Sequence, residues 1–391
     1  MSIDYPFSSR IKHFVPPRQW ASMRVARDLE RETGMKIIHF EKGDYQGPDF
    51  ETPQHVLDAT DQALRDGYVR YDPGPGLPEL RQAIADMMAK RGRPTLPEEV
   101  IVTAGAKHSL TMNLLTFLED GDEVIFPNPG YPPDEVWANY TNAVIKHTPL
   151  TKPDWQFNVD ELEKLITPKT KLVIINTPQR PNGHLVENPQ EIADMLLRHP
   201  HVMIISDEIF SQVTFGKPHI SICSIEEIRD RVIIIDTFSK TWAMTGWRIG
   251  WTVAPKPVID KLSIFLQDSI TNVAAFIQKA ATAAITGSQE WVDEKLILLQ
   301  NKRDLMVNGL NEIDGITCDS PDGAFYAFAD ISGTGLTSQE FTDRLVERAG
   351  VAVVAGTAFG SQGEGYVRIT YACSDEDIIE GLERIKNADL S

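Results

Sequence analysis

The chain has few of the residues that disulfide, metal, membrane or nucleic-acid chemistry requires. Only three cysteines, Cys223, Cys318 and Cys373, occur in 391 residues, far apart and without a CxxC pair. That argues against a disulfide framework or zinc ribbon, so no metal site and a reducing cytosol are expected. Basic residues are also short: 38 Lys and Arg stand against 56 Asp and Glu, a formal charge of −18. Such a surface repels phosphate backbones and anionic lipid, and no run of Lys and Arg makes a local exception, so no nucleic-acid partner is expected. Long apolar runs are missing too. Stretches such as Val202-Met203-Ile204-Ile205 are strand-sized, and MSIDYPFSSRIKHF at the start lacks the apolar segment of a signal peptide. A cytoplasmic protein without a membrane partner is the expectation.

Familiar motifs are absent as well. No GxGxxG follows a strand, since Gly74-Pro75-Gly76 lacks the third glycine, and there is no GxxxxGK[ST], HExxH or GxSxG. Nicotinamide oxidoreductase, P-loop, zincin and serine-hydrolase readings lose their support together.

What is present is ordinary globular composition, 42% hydrophobic and 24% charged, arranged as β-branched runs separated by helix-length segments. Val100–Thr103, Glu123–Phe126, Leu172–Ile175, Val202–Ile205 and Val232–Ile235 read as buried strands. Ser109–Leu118 and Pro189–Arg198, the latter after Asn188 as N-cap, read as helices between them. Apolar strands alternating with helices predict a mostly parallel α/β sheet sandwiched by helices, with ligands beyond the carboxyl ends of the strands. From about Gln289 the pattern changes to a long amphipathic helix, Trp291–Leu310, and strands at Gly323–Phe328 and Tyr366–Tyr371. The division expected is a large domain over 46–288 and a smaller α+β domain, with an N-terminal arm, from 1–45 and 289–391.

Within this frame a few residues carry chemistry. Lys240 lies in Thr237-Phe238-Ser239-Lys240-Thr241-Trp242, directly after a buried strand. A lone lysine is ordinarily a solvated surface charge, but hydroxyls and an apolar, Trp-containing run are a poor place for one. A desolvated amine with a lowered pKa is what a Schiff base to an aldehyde cofactor requires. Asp207 ends an apolar strand at the ligand edge; it reads either as a helix cap or as a carboxylate that keeps a pyridinium nitrogen protonated. Thr103-Ala104-Gly105-Ala106-Lys107 joins a strand to a helix start, where free N–H groups suit a phosphate dianion.

Together these segments resemble the fold-type-I, pyridoxal-phosphate-dependent class I/II aminotransferases, from about Ile11 to the C-terminus. The matching pieces, in order, begin with Tyr71-Asp72-Pro73, Gly76-Leu77-Pro78-Glu79-Leu80-Arg81, the Gly105 turn, Pro129-Gly130-Tyr131 and Asn176-Thr177-Pro178. Pro181-Asn182-Gly183, Ser206-Asp207-Glu208, the Lys240 segment and Tyr366-Val367-Arg368-Ile369 complete them. The resemblance implies pyridoxal 5′-phosphate on Lys240, which also moves the Cα proton, with Asp207 on the ring nitrogen and Tyr131 on the ring face. It implies a phosphate site from Gly105, Ala106, Lys107, Thr237, Ser239 and Arg248, and Asn176 near cofactor and substrate. Arg368 is implied as the α-carboxylate clamp, Gly43 as a second substrate contact, and Tyr71 as the residue reaching a neighbouring subunit of a homodimer. The substrates implied are an amino acid and a 2-oxo acid.

Three departures stand out. Arg180 replaces the asparagine that the family places by the cofactor's phenolic oxygen, and Phe210 replaces the tyrosine that donates to the same atom. A guanidinium at Arg180 can substitute for both donors or recognise an anionic substrate group. Tyr45-Gln46-Gly47 lengthens the usual Gly-x-Pro-Asp-Phe between Gly43-Asp44 and Pro48-Asp49-Phe50, either reshaping the substrate mouth or extending a loop. Amino transfer to a 2-oxo acid is the leading reading. Elimination, replacement or cyclisation on the same fold is the alternative, to which Arg180 and Phe210 lend weight.

Overall fold

The computed structural model describes residues 5–14, 18–72, 74–131 and 135–390, so Pro73 of the Tyr71-Asp72-Pro73 match lies outside the described residues. Among these described residues thirteen strands follow in chain order. The first seven are β1 (Ile38–His39), β2 (Val100–Thr103), β3 (Glu123–Asn128), β4 (Val144–Thr151), β5 (Gln156–Phe157), β6 (Thr170–Asn176) and β7 (Met203–Asp207). β8 (Val232–Thr237), β9 (Gly250–Val253), β10 (Tyr326–Asp330), β11 (Val351–Ala352), β12 (Val354–Ala355) and β13 (Tyr366–Thr370) complete the set.

Eight of them form one sheet in the order β2-β9-β8-β7-β6-β3-β4-β5. β8, β7, β6, β3 and β4 run parallel, while β9 and β5 are antiparallel to their neighbours. The run Val232-Ile233-Ile234-Ile235 shows why the predicted strands were continuous in apolar residues. Val232 and Ile234 pack into one core and Ile233 and Ile235 into another, because helices cover both faces. Three strands of this sheet had no such run, β5 being only the two residues Gln156–Phe157. β4 carries Lys146, His147 and Pro149 and alternates in burial, and β9 is a four-residue Gly-Trp-Thr-Val segment. Gly250 of β9 has a packing reason to be glycine: a Cβ there would sit 2.7 Å from Asp236 O and 2.9 Å from Ala106 N.

The remaining strands make a three-stranded antiparallel sheet, β10-β13-β12, and a parallel pair, β1-β11. These pack with the helix Glu290–Asn311 in a separate core containing Phe40, Phe210, Phe325, Leu299, Met306 and Ile369. The helix Arg18–Thr33 joins this side through Ala26, which is buried with Ile37, Val346 and Ala352. Among the described residues no helix is long and apolar enough to cross a membrane.

Candidate active site

The parallel block aligns Asn176 of β6 with Asp207 of β7, and Asp207 with Ile235 of β8, two residues before Thr237. These carboxyl ends open into a cavity of about 580 Å³, walled on its other side by Glu41–Asp44, Tyr326 and Arg368.

Lys240 stands on the cavity wall in a one-turn helix, Phe238–Thr241, capped by the Thr237 hydroxyl, which accepts from Ser239 N at 3.2 Å. Its Nζ donates to Gly43 O at 2.8 Å. Burial lowers the amine's pKa to about 8; Arg180, Arg368 and Arg248 add to the drop and the Asp44 carboxylate opposes it. Acylation of Lys240 by an amine-selective reagent, read by mass spectrometry on the cofactor-free chain, is therefore expected to speed up until about pH 8 and then level off. Removing a nearby cation favours the protonated form, so Arg180→Gln should move that midpoint upward. A rate still climbing near pH 10 in the wild type, as for an ordinary lysine, would contradict the lowered value.

Asp207 ends β7, is buried, and faces the same cavity. Burial raises its carboxyl pKa, and Arg180 counters this through a short ion pair between its Nη2 and Asp207 Oδ2. The other oxygen, Oδ1, accepts only a long 3.4 Å contact from Ile209 N and keeps acceptor capacity. Asn176 lies beneath this pair: its Oδ1 accepts from Arg180 N at 2.7 Å and its Nδ2 donates to Asp207 O at 3.0 Å. It orients Arg180 and is not on the cavity wall. The guanidinium of Arg180 also stacks 3.9 Å above the ring of Tyr131. The departure at 180 thus points inward, against the carboxylate.

The turn between β2 and the helix Ala106–Phe117 is made by Gly105 at φ +84°, where a Cβ would approach Arg248 Nη2 to 3.0 Å. Glycine gives that helix no side-chain cap, which leaves its first-turn N–H groups for an anion. Ala106, Lys107, Thr237, Ser239 and Arg248 line the cavity beside it, with Gly105 buried just behind.

On the opposite wall Arg368 is buried, with Nη2 donating to Glu41 O at 2.6 Å and its guanidinium 4.4 Å over Tyr326 and 5.1 Å from Phe359. Its Nε has no partner among the described residues, so this cation is anchored yet able to receive a carboxylate. Phe210 is fully buried, edge-on to Phe325 and Tyr326 at 5.1 and 5.8 Å, and brings only a ring to the cavity. Tyr71 is not on the cavity wall; it is 83% exposed on the surface.

Several wall residues escaped the sequence reading. Tyr326 was visible only as part of a strand, and Glu41, Lys42 and Arg27 as part of the arm. Among the described residues, seven basic side chains line the cavity against three acidic ones, a local excess of positive charge in a strongly acidic chain.

Comparison with known proteins comes to the same place. Residues 35–385 match the family model described as aminotransferase class I and II. An aspartate aminotransferase of Pyrococcus abyssi is 40% identical over 353 residues, covering 87% of this chain and 89% of that protein. An aromatic-amino-acid aminotransferase of Thermococcus litoralis is 39% identical over 353 residues, with coverage of 87% and 89%. Among solved structures, the aspartate aminotransferase of Rhizobium meliloti superposes with a TM-score of 0.94 at 31% identity, covering 98% of this chain and 99% of its own.

Proposed function

We propose, because this chain belongs to the class I and II aminotransferase family, that it moves an amino group between an L-amino acid and a 2-oxo acid on pyridoxal 5′-phosphate held by Lys240, and that one of the pair is a dicarboxylic acid. Amino-group transfer is the activity in the name of each relative described above, and elimination or cyclisation gains no support from them. The observation that carries the reading is the pairing, in one cavity, of a lysine amine at about pKa 8 with a buried carboxylate at the end of β7.

The residues fit the cofactor. Asp207 Oδ1 has room to accept from a ring N–H, Tyr131 offers a ring face, and the Gly105 turn with Lys107, Ser239 and Arg248 offers donors to a phosphate. Bound there, pyridoxal phosphate supplies an aldehyde to bond the amino nitrogen and a ring to accept the electron pair released at Cα. The chain supplies the rest. Lys240 Nζ, neutral in part near neutral pH, would take the proton from Cα and deliver it to the carbon that had been the cofactor's aldehyde, leaving the amino group with the cofactor. Asp207, buried from water, would hold the ring nitrogen through a charge that solvent does not screen. Arg368 fixes the α-carboxylate and thereby aims Cα–H at Lys240.

Lys107 and Arg248 are assigned to the phosphate, Arg180 to Asp207, and Arg368 to the α-carboxylate. Arg27 and Lys42 then remain on the cavity wall for a second carboxylate. Tyr71 stands exposed, as a residue serving a neighbouring subunit must, so a homodimer with shared sites completes the proposal, in a cytoplasmic setting. The test is a donor screen against 2-oxoglutarate with the oxo-acid product quantified. Aspartate or glutamate should give the highest kcat/KM. A clear preference for aromatic or basic donors would overturn the dicarboxylic assignment, and ammonia or an unsaturated product in place of stoichiometric exchange would overturn transfer itself.

A further inference from the structure

The backbone carbonyl of Lys240 is held from two directions by residues outside its own strand-turn. Tyr45 Oη donates to it in a short hydrogen bond, and Lys295 Nζ donates to it at 2.9 Å and to Thr241 O in a short contact. Both acceptors belong to the C-terminal end of the one-turn helix Phe238–Thr241, where carbonyls lack intrahelical partners.

Lys295 is 3% exposed, and its ammonium lies 5.0 Å from the Trp291 ring and 5.4 Å from the Tyr45 ring. It belongs to a buried stripe of the helix Glu290–Asn311 that reads Val292, Lys295, Leu299, Lys302, Met306. The second lysine of that stripe makes an instructive contrast. Lys302 is equally buried but meets two carboxylates, Asp375 at 2.6 Å and Asp49 at 3.2 Å. Lys295 meets none among the described residues, and burial drives its pKa well below that of an ordinary lysine. Burying an amine without a counter-charge is costly, so its two carbonyl acceptors are what the position is built around.

Tyr45 comes from the extra Tyr45-Gln46-Gly47 segment, which is tied down at each residue before the glycine. The Tyr45 ring packs against Phe50 and Phe325 at 4.9 and 5.0 Å. Gln46 N donates to Ala372 O at 2.8 Å and its Nε2 to His39 O at 2.9 Å. The extension is therefore a fastened bridge between β1, the smaller core and the Lys240 turn.

We propose that Lys295 and Tyr45 are positioning residues for Lys240: by donating to its backbone carbonyl from the smaller core and from the extra loop, they fix where its amine stands in the cavity. The inference rests on Lys240 being the reacting amine. A misplacement near 1 Å is worth about 10²-fold in rate, so Tyr45→Phe, which keeps the ring and loses only the hydroxyl, and Lys295→Met should each lower kcat about 10- to 100-fold with donor KM changed far less. Since both act on one atom, the double variant should lose less than the product of the single losses.

The second readout needs no turnover. Acylation of Lys240 in the cofactor-free variants should shift its pH midpoint above the wild-type value as the freed side chain gains solvent, while the denaturation midpoint of Tyr45→Phe stays near that of the wild type. An unchanged acylation midpoint together with unchanged kcat in Tyr45→Phe would overturn the proposal. So would losses in the two single variants that simply multiply. Activity retained by Lys240→Ala would instead strike at the reading on which the proposal rests, and the two failures are thus separable.

Discussion

Lys240→Ala is expected to lower amino-group transfer by at least about 10⁴-fold, since in the proposed function one side chain supplies both the covalent attachment and the proton relay. Nothing else on the cavity wall can take over. Among the described residues every other basic group there is a guanidinium, Lys42 or Lys107, and Lys240 is the one whose amine lies against the Gly43 carbonyl. Product formation from the best donor gives the number, and the acylation label at residue 240 should vanish from the peptide map. Turnover kept within about a hundredfold of the wild type would remove Lys240 from proton transfer.

Asp207→Asn should rank second, slowing transfer about 10²- to 10³-fold while leaving the shape of the site intact. The carboxylate is buried, so its charge acts with little screening, and asparagine keeps the volume but not the charge. The same change relieves Arg180 of its ion pair, so the guanidinium no longer has a charge at the end of β7 to lie against. Affinity for pyridoxal phosphate should also fall, by about 1.5–3 kcal/mol for a lost charge-assisted hydrogen bond. Titration of the cofactor's visible absorbance measures it. Unaltered affinity and turnover in this variant would mean that Asp207 serves as an internal partner of Arg180 and not as the ring's counter-charge.

How far the sequence could be read depended on whether a residue's partners were near it along the chain. Strands such as Val232–Ile235 announced themselves because burial on both faces demands unbroken β-branched residues, whereas β4, open on one side, diluted its signal with Lys146 and His147. Asn188 was read as an N-cap and stands at that position, but its side chain bonds Phe157 O and Glu191 and caps nothing. The direction of Arg180 was undecidable from its neighbours, since the carboxylate it meets is 27 residues away. Lys295 was hidden for another reason. In the sequence it is one more charge on an amphipathic helix, and only its spacing with Val292 and Leu299 marked it as a residue of the buried stripe.

Gly43 and Tyr45, two residues apart, touch Lys240 at its two extremities, the amine through Gly43 O and the main chain through Tyr45 Oη. That arrangement fixes a span, much as a caliper does. A loop shortened to the usual family length could still present the glycine carbonyl but would have no hydroxyl left to reach the other jaw. The added tyrosine is thus tied to the main chain of the very residue whose amine the nearby glycine holds.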